Sequence, residues 1–80
     1  MRLTKKQIKM FAKLHIGISG TYFDAFAFVN EWGDFQDDIT KQNVDDLVAP
    51  VHAEANKIIG DNDTGMGNSY HILKYVKENY

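Results

Sequence analysis

The chain has no cysteine among its 80 residues. Disulfide bonds, thiolate zinc ligands and cysteine nucleophiles are therefore excluded. A small domain that folds without disulfides is typical of a reducing compartment, and no continuous apolar leader opens the chain. The least charged stretch, residues 14–30, is too short and too polar to span a bilayer. We therefore expect a cytoplasmic protein that does not enter a membrane.

Proline is scarce as well, since Pro50 is the single one. Hydrophobic residues make up 44% of the chain and charged residues 25%, which is typical of a globular domain. Apolar residues recur with helical spacing in four segments, so we predict one all-α domain covering residues 1–80. The expected architecture is a compact bundle or orthogonal array of about four helices, at roughly 4–15, 21–32, 40–59 and 69–79.

Local signals place the helix ends. Thr4 and Gln7 predict a capping box at the first helix, and Thr40 predicts a cap at the third. The apolar phase of the third helix continues through Pro50, which favours one helix kinked there over two separate helices. In the last helix, the residues expected to face inward are Ile72, Leu73, Val76 and Tyr80.

Charge is divided unevenly along the chain. Residues 1–20 hold five basic residues and no acid, whereas residues 21–46 hold seven acids and one lysine. The basic set comprises Arg2, Lys5, Lys6, Lys9 and Lys13. Such polarity either orients a charged partner or lets the two segments lie against each other.

Six of the ten aromatic residues fall within residues 21–35. Helical phase assigns Tyr22 and Phe26 to the core, and leaves Phe28, Trp32 and Phe35 beside the acids. Aromatic anchors ringed by charge are typical of binding hot spots. The predicted acidic-aromatic face comprises Phe28, Glu31, Trp32, Asp34, Phe35, Asp37, Asp38, Asp45 and Asp46.

This face predicts a small non-catalytic module that binds a basic surface of another protein. Inhibitors and adaptors encoded by phages and other mobile elements are often chains of this kind, and spaced carboxylates can imitate the phosphates of DNA. The same aromatics would also serve a homodimer. The plainer interpretation is a solvated acidic surface that the N-terminal lysines partly neutralise.

A DNA-associated regulator is the alternative function, with the basic first helix in a degenerate helix-turn-helix. Its contacts would come from Arg2, Lys5, Lys6, Lys9 and Lys13. The segment in the position of a recognition helix, 21–32, has no Arg, Lys or Gln with which to read bases. Direct binding of nucleic acid is therefore the less favoured interpretation.

No enzyme signature emerges from the histidines or the glycine-rich loop. His52 and Glu54 resemble the His-x-Glu element of the zinc nucleobase deaminases, but that family takes its other zinc ligands from cysteines. The loop beginning at Asp61 starts like a calcium loop, yet it has Met66 and Ile72 where that motif needs glycine and glutamate. We predict no catalytic residue, no metal and no cofactor.

Overall fold

Three α-helices make up most of the part of the chain that the structure describes. A computed structural model describes residues 2–19, 31, 35–59 and 69–80. Within these residues α1 spans Lys5–Ser19, α2 spans Lys41–Ile59 and α3 spans Ser69–Asn79. The predicted all-helical class is confirmed. The predicted helix at 21–32 lies outside the described residues except for Glu31, so the count of four helices is not confirmed.

The capping signals at α1 and α2 are confirmed in atomic detail. The backbone N–H of Gln7 donates to Thr4 Oγ1 at 3.2 Å, and the backbone N–H of Thr4 donates to Gln7 Oε1 at 2.9 Å. These reciprocal bonds satisfy two backbone donors that a helix start otherwise leaves open. At α2 the backbone N–H of Asn43 donates to Thr40 Oγ1 at 3.3 Å.

α1 is longer than the sequence predicts. The expected end near residue 15 is wrong, because the helix continues through Gly17 to Ser19. Glycine inside a helix costs about 1 kcal/mol relative to alanine. Ile16 is fully buried, and burying such a side chain contributes roughly 1.5–3 kcal/mol. The packing of Ile16 therefore outweighs the helix-breaking tendency of the next residue.

α2 runs through Pro50 without a break, as its apolar phase predicts. Pro50 has no backbone N–H, so the carbonyl of Asp46 loses its usual partner four residues on. Both residues are exposed, so water can reach that part of the helix. Val44, Val48 and Ala55 are fully buried on the opposite side and hold α2 against the core.

α1 is the helix on which the other two pack. Lys5 pairs with Asp38 just ahead of α2, and Lys13 lies beside Glu54 farther along it, so α1 and α2 run in the same direction. The radius of gyration is 11.7 Å, against about 11.6 Å for a compact chain of this length. The buried apolar cluster comprises Leu3, Ile8, Phe11, Ala12, Ile16, Phe35, Ile39, Val44, Val48, Ala55, Ile72, Leu73 and Val76.

Candidate interaction surfaces

The N-terminal segment lies against the loop that precedes α2. Leu3 and Phe35 form an isolated parallel β-bridge, and the backbone N–H of Gln36 donates to the Leu3 carbonyl at 3.3 Å. Both bridge residues are buried. We call this contact, with the charged side chains around it, the N-terminal junction; its residues are Arg2, Leu3, Lys5, Phe35, Asp37 and Asp38.

Phe35 is a correction to the predicted acidic-aromatic face. It is 8% exposed and belongs to the core, whereas the sequence placed it outside as an anchor for a partner. The bridge to Leu3 sets its backbone so that the ring packs inward. A partner protein cannot reach this ring without disturbing the core.

Opposite charges meet at the N-terminal junction. Arg2 pairs with Asp37, and Lys5 Nζ lies 3.1 Å from Asp38 Oδ2. All four side chains are exposed, so each pair is worth at most about 1 kcal/mol. Two of the predicted acidic contacts are thereby neutralised by two of the predicted basic contacts. The expectation that the two segments lie against each other holds at this point of the fold.

The other predicted acids have different surroundings. Asp46 is exposed on the outer side of α2, Asp45 is half-buried on its flank, and Glu31 is exposed. Asp45 lines an open depression of about 610 Å³ at the start of α2. Phe28, Trp32 and Asp34 lie outside the described residues. The structure therefore does not bring the nine predicted residues together as one face.

Basic side chains line a second depression, between α1 and α2. Lys6 and Lys9 are exposed at its edge, and Lys13 Nζ lies 3.9 Å from Glu54 Oε1 across it. Met10 and Val51, which pack against the core, form its apolar floor. The depression encloses about 210 Å³. Three of the five predicted nucleic-acid contacts thus share one side of α1, while Arg2 and Lys5 belong to the junction.

His15 ties α1 to the start of α3. Its ring stacks on Phe11 with centroids 5.7 Å apart, and its Nε2 lies 3.1 Å from Ser69 Oγ. Burial lowers the pKa of His15 below its usual 6.5, because a charged ring would lose hydration there. The half-buried positions of His15 and His52 agree with a structural role for both rings. Within the described ranges no cluster of His, Asp or Glu could hold a metal ion.

Exposed aromatic surface occurs where the sequence did not predict it. Among the described residues the exposed large hydrophobic side chains are Tyr70, Tyr75 and Tyr80, at 54%, 43% and 42%. The prediction that Tyr80 faces inward is wrong: its ring is exposed and meets the ring of Tyr75, with centroids 6.1 Å apart.

Comparisons with known proteins give no family for this chain. No protein-family model, no curated protein and no solved structure matches it. In the part of the chain that the structure describes, no helix is both long and apolar enough to cross a membrane.

Proposed function

We propose that the chain is a small non-catalytic module that binds a basic surface of another protein through carboxylates on α2. The supporting observation is a contrast in charge pairing. Asp37 and Asp38 are neutralised at the N-terminal junction, whereas Asp45 and Asp46 make no ion pair within the described residues. Carboxylates without an internal counter-ion are available to the lysines and arginines of a partner, where they speed association and fix its register.

The proposed contact comprises fewer residues than the predicted acidic-aromatic face. Phe35 is removed from it because its ring is in the core. Asp37 and Asp38 would have to exchange Arg2 and Lys5 for a partner's cations, so they add little net attraction. Phe28 and Trp32, which lie outside the described residues, remain the proposed apolar anchors.

A fluorescent decalysine peptide tests the acidic contact in a binding titration followed by anisotropy. We expect salt-sensitive binding whose dissociation constant rises about threefold or more in the double variant Asp45→Asn/Asp46→Asn. The matched control is Asp61→Asn/Asp63→Asn, which removes two negative charges outside α2 by the same chemical change. Equal weakening by both double variants would show that net charge alone governs binding, and would reject α2 as the contact.

A DNA-associated regulator is the second candidate, supported by the basic depression between α1 and α2. Lys6 and Lys9 are exposed there and make no ion pair in the described part of the chain. Binding to random duplex DNA should then weaken steeply with salt, and Lys6→Gln/Lys9→Gln should reduce the logarithmic salt slope by about 2. Absence of salt-sensitive binding to the duplex rejects this candidate.

A further inference from the structure

Four exposed side chains form a stripe along the outer side of α3. They are His71, Lys74, Tyr75 and Glu78, and their spacing of three, one and three residues keeps them on one side of a helix. The three buried residues of α3 lie on the opposite side. Spacing of this kind forms the contact seam between two packed helices. We call these four residues the α3 stripe.

Charge changes sign along the α3 stripe. Lys74 lies toward the start of the helix and Glu78 toward its end, with the titratable His71 one turn before Lys74. Although Lys74 and Glu78 are one turn apart, they form no ion pair with each other or with another described residue. A stripe with a basic first half and an acidic second half is complementary to itself when two copies approach in opposite directions.

We propose that the α3 stripe binds the same stripe of a second copy of this chain, with the two helices antiparallel. A two-fold axis between positions 74 and 75 sets Lys74 against the partner's Tyr75, and Glu78 against the partner's His71. Lysine over a tyrosine ring gains a cation–π attraction. Glu78 is also within one turn of the partner's Lys74, so an ion pair can form across the axis.

The occupant is a second copy because the stripe supplies both halves of its own contact. Tyr75 is 43% exposed and lies next to the axis, so both rings lose water on pairing. With 11 residues in α3, the contact falls at the small end of interfaces, below about 1,200 Å². Dimerisation should accordingly be weak, with a dissociation constant on the order of 100 µM. This surface differs from the predicted homodimer contact, in which Phe35 was to take part.

Sedimentation equilibrium of the whole chain measures the contact directly. The weight-average mass should rise from 9.1 kDa toward twice that value between about 10 µM and about 1 mM protein. Tyr75→Ser should weaken dimerisation about tenfold or more, since it removes the central ring. Tyr70→Ser is the comparison: its ring borders the stripe, with its centroid 5.7 Å from that of His71, and its loss should weaken dimerisation less than the loss of Tyr75, which lies next to the axis.

A charge exchange separates electrostatic complementarity from general damage to the helix. Glu78→Lys alone should weaken dimerisation, because it sets like charges against each other. Adding Lys74→Glu restores an opposite pair but removes the lysine from the partner's Tyr75 ring, so the dissociation constant should fall about threefold or more from that of Glu78→Lys without returning to that of the parent. Far-UV circular dichroism checks that helicity is unchanged in each variant.

Three results would overturn the proposal. The parent chain could stay at 9.1 kDa at the highest concentration, which would leave the stripe to a different protein. Tyr70→Ser could weaken dimerisation as much as Tyr75→Ser, which would place the contact elsewhere on α3. The charge exchange could leave the dissociation constant as high as in Glu78→Lys alone, which would contradict the antiparallel arrangement.

Discussion

The N-terminal junction and the α3 stripe both carry charges of two signs, but they use them differently. At the junction Arg2 and Lys5 meet Asp37 and Asp38 within the fold, around a buried contact of Leu3 with Phe35. On the stripe Lys74 and Glu78 form no ion pair with any residue that the structure describes. The strongest charge asymmetry of the sequence is thus partly neutralised internally, whereas two opposite charges on α3 have no ion-pair partner in the described part of the chain.

Removing an aromatic ring from each region should give the largest difference in the free energy of unfolding. Phe35→Ala should lower the free energy of unfolding by about 3–5 kcal/mol, because it removes a ring buried in the core. Tyr75→Ala should lower that energy by only about 1 kcal/mol or less, since its ring is 43% exposed and lies outside the buried cluster. Urea unfolding of dilute protein measures both. Equal, small losses of unfolding free energy in both variants would show that Phe35 lies at the surface, as the sequence predicted.

The burial of Phe35 illustrates what sequence could and could not predict. The capping box at Thr4 and the continuous phase through Pro50 depend on neighbours within one or two turns, and both predictions are confirmed. Phe35 turns inward because its backbone bridges Leu3, a contact between distant positions that no local spacing encodes. The prediction for Tyr80 is wrong although its backbone N–H still donates to the Val76 carbonyl at 2.9 Å, because its ring meets the exposed Tyr75 and not the buried cluster.

The candidate surfaces, too, could be predicted only in part from the sequence. Uneven charge along the chain was readable directly, and so was the possibility that its two segments neutralise each other. The sequence could not show which carboxylates form ion pairs. The pairing of Asp37 and Asp38 depends on where the fold places Arg2 and Lys5. The α3 stripe has helical spacing, but only the placement of the neighbouring side chains shows that Lys74 and Glu78 pair with no described residue.

The capping box tests how firmly the N-terminal junction is held. Thr4 lies between two junction residues, and its side chain accepts one of two reciprocal bonds at the start of α1. Thr4→Ala should lower the free energy of unfolding by about 1 kcal/mol, within roughly 0.5–2. Thr40→Ala, at an exposed cap with a longer bond, should have a smaller effect. A larger effect at Thr40 would contradict the stronger cap assigned to α1.

The link between α1 and α3 should respond to pH through His15. Because burial lowers the pKa of His15 in the folded state, the unfolded chain binds the proton more readily. Stability from this ring is therefore fully present above about pH 6.5 and is lost as pH falls through the lowered folded-state pKa. Denaturant midpoints between pH 7.5 and pH 5, approximately, should show the fall. His15→Gln should reduce the pH slope.

The smallest expected effect concerns the exposed charge pairs themselves. Arg2→Gln/Lys5→Gln removes both cations of the N-terminal junction and should lower the free energy of unfolding by about 1 kcal/mol or less. The loss should shrink as salt rises, since both pairs are exposed to solvent. In dilute protein, Lys74→Gln should leave the free energy of unfolding unchanged within about 0.5 kcal/mol, because no described residue pairs with Lys74. A loss at Lys74 equal to that at the junction would mean that both regions neutralise their charges internally, and the comparison between them would fail.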